Sequence, residues 1–105
     1  MSRLAEVLDR LVATLEARRG GDPARSWSAR LMSDPKLAAR KLGEEAIEAV
    51  IAALEDEPQA LADEAADVIY HLLALLAAKG VSTDEVAAVL EEREGTSGIE
   101  EKASR

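Results

Sequence analysis

Two stretches, each spaced as an amphipathic helix, are separated by only Asp56-Glu57-Pro58. Ser33-Asp34-Pro35 opens the first: Ser33 or Asp34 can cap it, and Pro35 suits the first helical position, where a missing N–H costs nothing. That helix is expected to run to about Glu55, and Pro58 stands where the next one begins. A three-residue break leaves one sensible geometry, an antiparallel helical hairpin. The second arm carries Leu61, Ala65, Val68, Ile69, Leu72, Leu73, Leu75 and Leu76 before Lys79-Gly80 ends it. This apolar surface is wider than one partner helix can cover, which points to a second chain.

The flanking sequence supplies more helix. Leu4, Val7, Leu8, Leu11, Val12 and Leu15 recur at three- and four-residue steps, giving an amphipathic helix that ends near Arg18. Arg19-Gly20-Gly21-Asp22-Pro23 is a loop, and residues 26–32 form a short helix or turn that lays Trp27 and Leu31 on the bundle. Ser82-Thr83-Asp84-Glu85 is a capping box ahead of a final short helix with Val86, Val89 and Leu90 on one face. The hydrophobic fraction is 48%, yet Phe is absent and Trp27 and Tyr70 are the only aromatic residues, so the core must be built from Leu, Val, Ile and Ala. We therefore expect an all-α bundle built on the hairpin and completed by dimerisation. Its single domain spans residues 1–93, with a charged, disordered tail over 94–105.

Several function classes are excluded. Without cysteine there is no disulfide, thiolate metal site or cysteine nucleophile. No signal peptide or membrane-spanning run is visible, so no membrane role is expected and a cytoplasmic setting is compatible. The formal net charge of −8 makes the surface repulsive to nucleic acid. An acidic protein that handles phosphates needs a cation between itself and its ligand.

The carboxylates supply a place for one. Glu44, Glu45 and Glu48 fall within roughly a 100° arc of the first arm, and Glu64 and Asp67 lie about 60° apart on the second. Both sets border the apolar stripes, Ile47, Val50, Ile51 and Leu54 on one arm and Val68, Leu72 and Leu75 on the other. Because the hairpin turns near Glu57, Glu48 is level with about Ala66 and Glu45 with about Ile69. Four or five carboxylates can then converge, and some must have raised pKa values unless a cation neutralises them. All-oxygen ligation selects Mg²⁺ or Mn²⁺ over zinc. The competing reading is a solvated acidic face that serves only solubility, and di-iron bundles use Glu-x-x-His pairs that this chain lacks.

Other polar residues stay open between two roles. His71 lies one turn after Asp67, as a packed residue or as a hydrogen-bond partner or ligand at the site. Arg30, Lys36, Arg40 and Lys41 either pair with the acids or meet phosphates beyond the metal. Trp27 either stacks on a base or plugs the end of the bundle.

Taken together, Ser26-Trp27-Ser28-Ala29-Arg30-Leu31, then Lys41-Leu42-Gly43-Glu44-Glu45-Ala46-x-Glu48, then Glu64-Ala65-Ala66-Asp67-x-x-Tyr70-His71-Leu72-Leu73 resemble the phosphoribosyl-ATP pyrophosphohydrolases. These are enzymes of histidine biosynthesis within the MazG-like all-α pyrophosphohydrolases. The resemblance implies hydrolysis of 1-(5-phosphoribosyl)-ATP to pyrophosphate and phosphoribosyl-AMP by a Mg²⁺-dependent homodimer. Position by position, Glu45, Glu48, Glu64 and Asp67 match the metal ligands, and Glu44 completes the motif as a ligand or an orienter of water. Glu44 or Glu48 would accept the proton of the attacking water, and Lys41 with its basic neighbours would steady the phosphates. Two alternatives stand beside this: a housekeeping nucleoside triphosphate pyrophosphohydrolase using the same site, and a non-catalytic helical interaction module.

Overall fold

The computed structural model describes residues 2–95, and among these there are five helices and no strand. They are α1 (Arg3–Arg18), α2 (Trp27–Ser33), α3 (Pro35–Leu54), α4 (Pro58–Ala78) and α5 (Thr83–Glu92). Of the expected tail, residues 94 and 95 lie in a turn and residues 96–105 lie outside the described residues.

Local chemistry sets each boundary. The Ser2 hydroxyl accepts from the Ala5 N–H at the start of α1, and Ser26 does the same for Ala29 at the start of α2. Asp34, not Ser33, caps α3: its carboxylate accepts from the Leu37 N–H at 3.2 Å, while the Ser33 hydroxyl donates back to the Arg30 carbonyl. The hairpin turn is a Schellman motif. Glu57 N–H donates to the Ala52 carbonyl and Asp56 N–H to that of Ala53, with Asp56 at φ 55° in the position glycine usually holds. The end of α4 repeats the motif with Gly80 at φ 70°: Val81 N–H reaches Leu76 and Gly80 N–H reaches Ala77. The capping box of Ser82 and Glu85 forms at α5 as expected, with both reciprocal hydrogen bonds present.

The hairpin of α3 and α4 is the most extensive packing in the molecule, and α2 lies across both arms. Its Leu31, fully buried, meets Leu15, Met32, Ala38 and Ala74 in the core, with Leu11, Leu37, Tyr70 and Leu73 around it. Short side chains on the inner line of α3 let the two long helices approach closely. Ala38, Glu45 and Ala52, at seven-residue intervals, are the buried residues of that helix.

This placement corrects one expectation. Ile47, Val50, Ile51 and Leu54 do not form the seam against α4 but face solvent, with Leu54 at 81% exposure. The reason is angular: these four lie on the side of α3 opposite the Ala38–Glu45–Ala52 line. The uncovered apolar surface therefore sits chiefly on α3, with Leu61 and Leu72 of α4 adding to it. Among the described residues no single helix is long and apolar enough to cross a membrane.

Candidate metal centre

Glu45 occupies the buried line of α3, so its carboxylate points into the seam rather than beside it. One turn on, Glu48 reaches the same place from the exposed edge, and Glu64 of α4 meets both. A carboxylate oxygen from each of the three lies within 4.8 Å of the others. Oε2 of Glu64 is buried and has no hydrogen-bond partner. Three acids at such range repel one another and lose solvent on assembly. Burial first, then the neighbouring Glu48, Glu45 and Asp67, pushes the Glu64 carboxyl above the usual carboxylate range.

A buried orphan oxygen facing two further carboxylates is the donor set of a hard divalent cation. Only oxygen ligands are present, at a separation that one ion can bridge, so Glu45, Glu48 and Glu64 fit such an ion. Asp67 is close enough to act on Glu64 electrostatically but is not one of the three converging groups.

Glu44 is placed differently. Its carboxylate receives a hydrogen bond from Lys41 Nζ at 3.1 Å and lies 3.8 Å from Arg40 Nε, on the outer side of α3. Lys41 also stands 3.5 Å from Glu45 Oε1, so it bridges the outer acid and the seam acid. The hydrogen bond that Lys41 donates to Glu44 holds its ammonium above the usual lysine range. The basic residues thus divide: Arg40 and Lys41 flank the acids, whereas Lys36 lines an apolar groove of about 560 Å³ with Pro35, Leu75, Leu76 and Lys79. That groove lies at the far end of the hairpin from its turn. The more enclosed cavity, of about 130 Å³ between α1, α4 and the start of α5, is apolar and away from the carboxylates too. The acidic centre is an open surface site.

His71 is buried and hydrogen-bonded at both ring nitrogens, to the backbone carbonyl of Asp67 and to the indole N–H of Trp27. It is a packed residue of the α2–α4 contact, not a ligand to the carboxylate cluster. Sequence reasoning missed one polar member of this contact. The hydroxyls of Ser28 and Tyr70 share a hydrogen bond at 2.5 Å, fixing α2 onto α4 a second time. Trp27 itself lies on the surface with Arg30 over its ring.

Comparison with known proteins identifies the family. Residues 8–94 match the family model described as phosphoribosyl-ATP pyrophosphohydrolase. A phosphoribosyl-ATP pyrophosphatase of Caulobacter vibrioides (strain NA1000 / CB15N) is 65% identical over 103 residues, covering 98% of this chain and 96% of the relative. Its counterpart from Caulobacter sp. (strain K31) is 61% identical over 105 residues, 100% of this chain and 98% of that protein. One from Cereibacter sphaeroides (strain ATCC 17029 / ATH 2.4.9) is 59% identical, covering 94% and 97%. With an all-α hairpin, a converging carboxylate trio and near full-length matches of this kind, the chain belongs to the phosphoribosyl-ATP pyrophosphohydrolase family.

Proposed function

We propose that the protein hydrolyses 1-(5-phosphoribosyl)-ATP to 1-(5-phosphoribosyl)-AMP and pyrophosphate, in the cytoplasm, as the second step of histidine biosynthesis. The observation that carries this reading to the chemistry is the buried, unpartnered Glu64 oxygen facing Glu45 and Glu48. Mg²⁺, or Mn²⁺ in its place, would be held there and would supply charge neutralisation for the triphosphate and its pyrophosphate leaving group.

The residues of the chain have separate tasks. Glu45 and Glu64, drawn into the seam, would hold the ion, with Asp67 close enough to Glu64 to add its charge. Glu48 is the exposed member of the trio and can reach water, so it accepts the proton of the attacking water. Glu44 is paired with Arg40 and Lys41; it fixes the cation that meets the phosphates rather than acting as the base. Lys41 lies between this pair and the metal centre, at the place where phosphate oxygens would enter.

Assembly as a homodimer belongs to the same proposal. The apolar face of α3 runs from Ile47 to Leu54 and meets the acids only at its edge, where Ile51 lies one turn after Glu48, so a second copy covering it would border the site on that side.

The test is direct. Purified protein is incubated with 1-(5-phosphoribosyl)-ATP or with a panel of nucleoside triphosphates, with and without Mg²⁺, and pyrophosphate is measured. Release from the phosphoribosylated substrate alone, and only with the metal, is expected. Equal release from ordinary triphosphates would replace this reading with a housekeeping pyrophosphohydrolase.

A further inference from the structure

Trp27 is hydrogen-bonded at its edge and partly exposed to solvent. Its indole N–H donates to Nε2 of His71 at 3.3 Å. An indole can only donate, so that nitrogen must be unprotonated, and Nδ1–H donates in turn to the Asp67 backbone carbonyl at 2.7 Å. His71 is thereby spent as the holder of Trp27. The tryptophan nonetheless remains 41% exposed. The guanidinium of Arg30, itself exposed, lies 5.7 Å from the ring centroid, and among the described residues it has no carboxylate partner. The indole is held at its edge by His71, and the exposed Arg30 guanidinium lies over its ring.

The position of this face relates it to the carboxylates. His71 follows Glu64 by seven residues on α4, two helical turns, so both project from the same side about 10 Å apart along the axis. That distance is of the order spanned by the ribose and first phosphate of a nucleotide. A triphosphate at the acids would place its base near Trp27.

The proposed substrate differs from ATP only at the base, where a phosphoribosyl group on N1 makes the adenine ring basic enough to be protonated at neutral pH. The carboxylates, Lys41 and Arg40 meet phosphates that the two nucleotides share, so they cannot tell them apart. A tryptophan face can, because it attracts a cationic ring by stacking and by charge, and a neutral ring by stacking alone. Resting on the hydrolytic reading above, we infer that Trp27 is the specificity determinant for the N1-substituted purine, receiving the cationic ring on the face that Arg30 covers in the free protein. Arg30 contributes the weaker, exposed form of the same contact, and on displacement it is released toward the sugar and phosphates.

Trp27 is the only tryptophan in the chain, so its fluorescence reports this contact alone. The full chain, without metal, is titrated with 1-methyladenosine 5′-monophosphate, AMP and ribose 5-phosphate. Saturable quenching by both nucleotides is expected, with the methylated one binding about tenfold more tightly, and none by ribose 5-phosphate. In calorimetry, Trp27→Leu should bring the two nucleotides to equal affinity, whereas Trp27→Phe, which keeps an aromatic face, should retain a preference. Equal affinity of the unaltered protein for both nucleotides, or quenching by neither, overturns the inference even if phosphoribosyl-ATP is hydrolysed. A preference for the methylated nucleotide without hydrolysis leaves the inference standing and removes the reaction.

Discussion

Adjacent along α3, Glu44 and Glu45 end in different surroundings because the helix turns about 100° between them. Glu45 falls on the line of Ala38 and Ala52 and enters the seam, while Glu44 faces Arg40 and Lys41. Their common motif was legible in the sequence, but their division of labour was not, since both lay within the arc the spacing allows. What separates them is the buried line of small residues, readable only once the side of α3 that meets α4 is known. Two predictions follow from the geometry of the trio. Glu48→Gln should lower turnover at least about 100-fold while leaving circular dichroism unchanged, because the exposed side chain contributes little to packing. Retained activity would remove Glu48 from the reaction. The second concerns Glu64, whose carboxyl is raised in the folded protein, so that folding favours its protonated form. Its contribution to stability is full below the ordinary carboxylate pKa and is lost as pH rises through the raised value. The metal-free protein should therefore melt at a lower temperature at pH 7 than at mildly acidic pH, a difference that Glu64→Gln reduces. Mg²⁺ should raise the pH 7 melting temperature of the unaltered protein and not that of Glu64→Gln. A Mg²⁺ response that survives the substitution would place the ion elsewhere.

At the scale of elements, the helices with strong terminal chemistry were readable from sequence to within about one residue. Asp34-Pro35, Asp56-Glu57-Pro58, Lys79-Gly80 and the Ser82–Glu85 box each announce a boundary through a side-chain cap, a missing N–H or a left-handed residue. The pattern of the short α2 is ambiguous between helix and turn because seven residues make too few turns to show a period. It is held by contacts more than forty positions away in sequence, Ser28 with Tyr70 and Trp27 with His71, and local pattern carries no trace of these. Leu31 is its anchor. Fully buried where four helices meet, it should cost about 3–5 kcal/mol when changed to Ala, measured by urea unfolding. In the hairpin turn, Asp56 holds a left-handed backbone that glycine adopts without steric cost. Asp56→Gly should therefore raise stability by about 0.5–1 kcal/mol in the same experiment, and a loss would mean that the Asp56 side chain supports the turn in another way.

For the whole molecule, the exposed apolar surface lies chiefly on α3, whereas sequence reasoning expects it on α4. The surplus was legible, but its location was not, because an Ala-lined seam left the larger side chains of α3 outside. Ile47, Val50, Ile51 and Leu54 are 48–81% exposed, and α5 adds Val89 and Leu90 without substantial packing against the other helices. An isologous pair would bury the four α3 residues twice over. At about 1.5–3 kcal/mol for each fully buried side chain, that is at most about 12–24 kcal/mol, against an association cost of about 4–15 kcal/mol. The balance favours a stable dimer unless the side chains are only partly covered. Replacing Ile47 and Ile51 together by lysine places four charges in such an interface while leaving the fold of each chain untouched, because both residues already face solvent. The unaltered protein should sediment as a dimer and the double variant as a monomer at the same concentration, with the same helical content per chain. Because Ile51 follows Glu48 by three residues, about one turn along α3, a second copy on this face also reaches the edge of the carboxylate site at Glu48. The monomeric variant should accordingly bind Mg²⁺ more weakly, and a dimer that persists would move the interface off this face of α3, with Leu4 and Val7 of α1 and Val89 and Leu90 of α5 among the other exposed apolar residues.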